Sequence, residues 1–199
     1  MMNIQTIMSS GIQNIAKVSD NIVRGETLWA ARNRKFIPLL RDAGVTVIID
    51  LRTADFTDRY VEMCSGDGLR CFHFPVDSCQ TDDEEIIGFL PQLFSLLDQE
   101  DCYISCQQGL HRTDIALALY YLFHPTVEEM PNLFGHQKNG IFRCDDIMRR
   151  VYRIQSVLKE EDLMRMGLCK DYEPVFLERK KNLLRYNRVQ SGEIQAQFK

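Results

Sequence analysis

Cys102-Tyr-Ile-Ser-Cys106-Gln-Gln-Gly109-Leu-His-Arg112-Thr113-Asp-Ile-Ala-Leu-Ala-Leu-Tyr-Tyr-Leu-Phe123 decides the reading of this chain. A short β-prone run ends on a cysteine, a glycine-bearing turn follows, and a strongly apolar helix begins at an arginine. In that layout the N–H groups of the turn and the unpaired amides of the helix start converge on one spot and favour negative charge there. Cys106 is expected at the floor of that spot, where a helix N-terminus and a neighbouring cation favour thiolate over thiol. Arg112 is permanently charged, and its planar fork can hold two oxygens of a phosphate at once.

Spacing alone does not identify the site, because a cysteine followed six positions later by arginine occurs twice more, at Cys64/Arg70 and Cys144/Arg150. Cys64 has Asp67 where the first match has Gly109, and no apolar strand runs into it. Cys144 is followed by Asp145 and Asp146 inside an amphipathic helical pattern, which would repel an anion and offer it no free amides. The Cys106 segment alone joins strand, glycine, arginine and helix.

Ser105-Cys106-Gln107-Gln108-Gly109-Leu110-His111-Arg112-Thr113 resembles the phosphate loop of the cysteine-dependent protein tyrosine phosphatases, whose pattern is Cys, five residues, Arg, then Ser or Thr. The closer resemblance is to the compact dual-specificity branch. It extends through Ile22-Val-Arg24-Gly25, the segment Gly44 to Arg52, and Phe72-His-Phe-Pro-Val-Asp77, covering about residues 20 to 125. It implies an α/β fold with a central, mostly parallel twisted sheet flanked by helices, to which the C-terminal helices are an addition. The expected division is an N-terminal segment 1–19, a phosphatase-like domain 20–160 and a helical extension 161–199 packed on it.

The chemistry implied is metal-free and cofactor-free. Cys106 would attack phosphorus and form a phosphocysteine, splitting a hard hydrolysis into two easier steps. Arg112 and the loop residues Gln107, Gln108, Gly109, Leu110 and His111 would bind the phosphate oxygens where charge spreads in the transition state. Asp77 follows the strand Cys71 to Val76 and precedes Cys106 by 29 positions; the acid of the resembling family occupies a similar place, so Asp77 is assigned as general acid. Asp82 and Asp83 are rivals, but a helix-start context stabilises their ionised form, which suits an acid badly. Thr113 can donate its hydroxyl to the sulfur during the second step, or serve as a helix-cap hydroxyl. Arg24 and Asp50 resemble structural positions. Two residues depart from the pattern: Ser105 stands where the family usually has histidine, and Asp114, in place of a small residue, adds a negative charge near the anion site.

The expected substrate is a phosphorylated protein bearing phosphotyrosine, with phosphoserine and phosphothreonine as extensions, or another phosphate monoester. The loop lacks the lysines that family members acting on inositol phosphates or phosphoinositides often carry, which weighs against that alternative. A catalytically silent phosphate-binding module is the other alternative, and joint retention of Cys106, Arg112 and Asp77 argues against it. A redox role would have Cys71, Cys79 or Cys102 form a disulfide with Cys106.

With 199 residues and 45% hydrophobic content the chain can build one sizeable core. Its seven cysteines are scattered, without CxxC pairs, which suits free thiols in a reducing compartment. The opening Met1-Met-Asn-Ile-Gln-Thr lacks a basic start, and the apolar run Ile115 to Phe123 is too short to span a bilayer, so a soluble, monomeric, cytoplasmic protein without nucleic-acid or membrane partners is expected. Residues 1–140 hold 11 basic and 19 acidic residues, net −8, whereas 141–199 hold 13 and 9, net +4. The basic tail could dock acidic substrates or an anionic membrane face, and is read in preference as solvated helix faces.

Elsewhere, Asp20 to Arg24 reads as a strand, and residues 1–17 as a frayed terminus or a short helix. A helix of two segments, or one beginning near Ile37 with Pro38 in its first turn, ends at Gly44, and strands follow at Val45 to Leu51 and Arg70 to Val76. Thr81-Asp-Asp-Glu84 opens a helix with a capping box, its apolar face formed by Ile86, Ile87, Leu90, Leu93, Phe94 and Leu97. The next strand is Cys102 to Ser105 and the next helix Thr113 to Phe123. Beyond them come a capping box at Thr126 to Glu129, a polar loop from Gly135 to Gly140, helices over Arg143 to Leu158 and Glu173 to Val189, and a helical turn at Asp162 to Met166.

Overall fold

A computed structural model of the chain describes residues 2–29, 32–53, 58–76, 81–124, 144–168 and 174–182, apart from the side chains of residue 58 and of residues 144–148. Five strands form one sheet: β1 (Ala16–Lys17), β2 (Ile22–Glu26), β3 (Val47–Asp50), β4 (Arg70–His73) and β5 (Cys102–Cys106). Their order is β1-β2-β5-β3-β4, with β1 antiparallel to β2 and every other pairing parallel. The expected mostly parallel α/β architecture is therefore present. β5, buried along its whole length between β2 and β3, is the central strand, as a run of Cys, Tyr, Ile, Ser and Cys covered on both faces requires.

Side-chain alternation along the strands separates two cores. Ile22, Val47, Ile49, Cys102 and Ile104 face α4 (Asp83–Gln99), α5 (His111–Phe123) and α6 (Cys144–Val157). Val23, Ile48 and Tyr103 face α1 (Ile4–Met8), α2 (Ile37–Asp42) and α3 (Asp58–Gly66). α5 is buried from Thr113 to Phe123, the central position that its apolar circumference indicated. Two further helices, α7 (Glu160–Arg165) and α8 over residues 174–182, follow α6. Phe176 of α8 stacks on Phe123 with ring centroids 5.2 Å apart.

Several elements differ from the sequence reading. The N-terminal segment holds the short helix that was one of the two expected alternatives, but it also adds the edge strand β1 and contributes Met2, Ile7 and Ile12 to the second core. β2 runs two residues further than expected, to Glu26, because Gly25 and Glu26 pair with Ser105 and Cys106. α3 has no counterpart in the sequence reading: its sequence is largely polar, and among its described side chains only Tyr60 and Cys64 are fully buried in the core. The cap of α4 is Asp82, which accepts from the Glu84 amide at 3.2 Å, one residue later than a Thr81–Glu84 box. α5 starts at His111, two residues before Thr113. Asp77, Cys79, the segment Thr126 to Arg143 and the chain beyond residue 182 lie outside the described residues.

Candidate active site

The parallel register places three strand ends together: Cys106 of β5, Glu26 of β2 beside it, and Asp50 of β3 opposite Ser105. Carboxyl ends of parallel strands are where α/β folds bind ligands. Cys106 is nearly buried, 3% exposed, at the root of the loop that leads into α5. Gln107 and Gln108 are exposed, Gly109 is buried, and Leu110, His111 and Arg112 are half-buried.

The loop can take its shape only with glycine at position 109. Gly109 has φ +68°, and a Cβ there would sit 2.1 Å from the Gly25 carbonyl oxygen and 2.8 Å from the Glu26 nitrogen. Gly25 is constrained in turn, since a Cβ on it would lie 2.3 Å from the Tyr103 hydroxyl. That hydroxyl donates to the Glu26 carbonyl at 2.6 Å, and burial pushes its pKa well up, so it stays a neutral donor. Loop and strand β2 are thus in backbone contact with no side chain between them.

Arg24, 1% exposed, lies behind this contact and turns the loop carbonyls toward itself. Its Nε and Nη2 donate to the Gly109 carbonyl at 3.1 and 2.7 Å, and Nη2 also donates to the Leu110 carbonyl at 3.1 Å. Asn14, held at φ +55°, donates through Nδ2 to the Gln108 carbonyl at 2.9 Å. In a trans peptide the N–H points opposite to the C=O. Three successive carbonyls held from behind therefore aim the amides of Gly109, Leu110 and His111 at the concave side. The backbone N–H groups of Gln107, Gln108, Gly109 and Leu110 donate to no backbone carbonyl among the described residues. Nor does any side chain cap the start of α5, in contrast to α4. The arrangement is an open anion cradle.

Asp114, the departure expected to put negative charge near that cradle, faces the other way. It forms a buried ion pair with Nη1 of Arg24, both side chains 1% exposed. The charge is used to hold the arginine that shapes the loop. Arg112, two positions earlier at the helix start, makes no ion pair among the described residues. Thr113 is fully buried, and its hydroxyl oxygen has no hydrogen-bond partner among the described residues. Ser105 is buried, and its hydroxyl donates to the Ile49 carbonyl at 3.4 Å.

On the other side of β5, Asp50 and Arg52 form a second buried pair, with Nη2 to Oδ2 at 2.6 Å. The guanidinium carbon of Arg52 lies 5.4 Å from the Tyr60 ring centroid. The rivals of Asp77 are both committed elsewhere: Asp82 caps α4, and Asp83 is held by Arg150 at 3.1 Å and Arg153 at 2.8 Å. The look-alike pairs also separate. Arg70 binds Glu100 at the start of β4, and Arg150 is buried within α6, donating to the Thr81 carbonyl.

The described cysteines do not suit a disulfide with Cys106. Cys102 lies four residues down the same strand, about 13 Å away at strand rise, beyond the roughly 7 Å Cα separation that a disulfide tolerates. Its thiol donates to the Leu96 carbonyl at 3.3 Å, and burial pushes its pKa up to about 12. Cys71 lies two strands away, in register with Ile48, and packs with the second core. Its pKa is raised, first by a hydrogen bond with Cys64 and then by burial. Among the described residues no group of three or more His, Cys, Asp or Glu is placed to hold a metal.

Sequence reasoning missed Asn14, Glu26 and the partnership of Arg24 with Asp114. The last leaves a trace in the sequence: Arg24 reads as structural and Asp114 as an added negative charge near the anion site, and two opposite charges can be each other's partner. Asn14 left none.

Sheet order, flanking helices and a cysteine at the tip of the central strand define a phosphatase-like α/β fold. No protein-family model and no curated protein matches the chain. Among solved structures it is similar to a candidate phosphatase of the DUF442 group from Shewanella putrefaciens CN-32, at 18% identity and a TM-score of 0.55, over 74% of this chain and 94% of that one. It is also similar to TpbA of P. aeruginosa, at 20% identity and a TM-score of 0.54, over 80% of this chain and 93% of that one.

Proposed function

We propose that the chain is a cysteine-dependent phosphatase that hydrolyses phosphate monoesters through a phosphocysteine intermediate, with phosphotyrosine in proteins as its substrate and phosphoserine and phosphothreonine as extensions. The observation that carries this reading is the orientation of the loop: the carbonyls of Gln108, Gly109 and Leu110 are all held from behind, by Asn14 and Arg24, above a nearly buried Cys106. A loop so arranged offers amides to three oxygens around a phosphorus in line with the sulfur.

In the first step the Cys106 thiolate attacks phosphorus, the S–P bond forms and the P–O bond to the leaving group breaks. The leaving oxygen takes a proton from Asp77, a contribution of about 10²- to 10⁴-fold for a positioned acid. The commitment of Asp82 and Asp83 elsewhere supports that assignment. In the second step water attacks phosphorus, gives its proton to Asp77, and the S–P bond breaks. The unpartnered Thr113 hydroxyl is suited to donate to the departing sulfur. Arg112 supplies paired donors to the equatorial oxygens throughout.

Cys64, Cys71, Cys102 and Cys106 are free thiols, which supports a reducing, cytoplasmic setting. No helix among the described residues is long and apolar enough to cross a membrane.

The test is turnover of para-nitrophenyl phosphate by the purified chain, unaffected by chelator. Cys106→Ser should reduce it by at least about 10³-fold. Phosphopeptide binding without turnover would instead make the chain a binding module.

A further inference from the structure

The carboxyl edge of the sheet carries a second basic group that the chemistry above does not use. Glu26 ends β2 and is the register partner of Cys106, so the two Cα atoms lie about 4.8 Å apart, the spacing of adjacent strands. Its side chain is 7% exposed. Oε1 pairs with Nη2 of Arg32, while Oε2 is buried without a hydrogen-bond partner among the described residues. Arg32, by contrast, is 61% exposed. Its Nη2 also reaches Gln13 Oε1 at 3.5 Å, and the next residue, Asn14, is the one that holds the Gln108 carbonyl of the loop. Arg32 is therefore tied through Nη2 to Glu26 and to Gln13, at the carboxyl end of β2 beside Cys106, away from β3 and β4. Its Nη1 and Nε donate to no other group among the described residues.

We infer that Arg32 is a second anion contact, so that the enzyme selects phosphate monoesters carrying a further anionic group, phosphate or carboxylate, on the β2 side of the cradle. A free surface arginine loses much side-chain freedom when it grips a ligand. Arg32 has already lost part of it to Glu26. The buried carboxylate also cancels the positive charge at long range, so the contact does not steer anions in general. It acts only where a second group can meet the outward N–H donors directly. The loop itself, with Arg112 as its sole permanent positive charge, provides no other such contact.

The inference rests on the phosphatase reading, and its test separates the two. Calorimetric titration with inorganic phosphate and with inorganic tripolyphosphate compares the natural chain with Arg32→Gln. Lys35→Gln controls for loss of nearby charge, since Lys35 is exposed and lies over the Phe36 ring. Arg32→Gln should weaken tripolyphosphate about tenfold and leave phosphate within about twofold, and Lys35→Gln should leave both within about twofold. Equal weakening of both ligands, or of neither, overturns the inference and leaves the cradle standing. No phosphate binding by the natural chain removes the cradle and the inference with it. The source of the second group follows from kcat/KM. Phosphotyrosine peptides with and without a neighbouring glutamate form one arm, and an inositol polyphosphate forms the other. A tenfold dependence on Arg32 in either arm, with para-nitrophenyl phosphate unchanged, names the source; dependence in neither overturns the inference.

Discussion

Two buried arginines flank the central strand, each paired with an aspartate, and they are connected over very different ranges. Arg24 on β2 reaches Asp114, ninety positions along the chain, and holds two loop carbonyls on the way. Arg52, just past β3, folds back onto Asp50, two positions earlier. Burying two charges is expensive in either place, and an apolar pair of similar volume is often as stable or more so. Stability therefore does not explain the Arg24 pair. What it adds is geometry: the loop carbonyls are turned away from the spot where an anion would sit. The Asp50–Arg52 pair closes the end of a strand upon itself.

The comparison is broken most decisively at Arg24. Arg24→Met breaks the buried Arg24–Asp114 ion pair, so a loss of about 3–5 kcal/mol is expected by chemical denaturation. Where the variant is still folded, kcat/KM for para-nitrophenyl phosphate should fall at least about 100-fold, since displacement of the loop by about 1 Å is enough for that. The double variant Arg24→Met with Asp114→Leu should regain most of the stability and none of the activity. Recovery of both together would reduce Arg24 to a packing residue.

Asp50→Asn sharpens the contrast. It removes a buried charge partner of Arg52 and should destabilise the fold, as read by chemical denaturation. The folded fraction should keep kcat/KM within a few-fold, because among the described residues no carbonyl of the 107–110 loop accepts from Arg52. A loss as large as that of Arg24→Met would make the two arginines equivalent.

The smallest expected effect lies far from both. His124 donates to Asp98 at 2.7 Å, beside the Tyr120 hydroxyl, which shares the same carboxylate, and Arg179, which donates to the His124 carbonyl. Burial, assisted by Arg179 and opposed by Asp98, lowers its pKa below the usual 6.5. The folded state thus favours the neutral ring, so this contribution is present above about pH 6.5 and is lost as pH falls through the folded value. Denaturation midpoints measured from pH 7 down to pH 5 should show a shallow decline that His124→Gln flattens. Glu100 and Asp162, whose pKa values are also lowered, lose their contributions only below about 4.5 and 3.8, so the windows are separate.

The sequence disclosed the strand, the glycine and the helix of the cradle because each is a local pattern. Cys102 to Cys106 is a buried run, Gly109 is a turn residue, and Ile115 to Phe123 is apolar on every side. It also separated Arg112 from Arg150, since Asp145 and Asp146 are visible without coordinates. It did not disclose what turns the carbonyls. Asn14 and Gln108 are 94 positions apart, and Arg24 and Gly109 are 85; contacts of that range leave no periodicity. α3 escaped for a different reason: two fully buried side chains four residues apart on an otherwise polar segment make too faint a stripe.

The most direct measurement is a rapid acid quench of the protein during turnover of para-nitrophenyl phosphate, followed by peptide mass spectrometry. Phosphate should be found on Cys106 in the natural chain and be absent from Cys106→Ser. Turnover that proceeds with Cys106 never phosphorylated, or that survives Cys106→Ser, would contradict the assignment of this sulfur as the nucleophile.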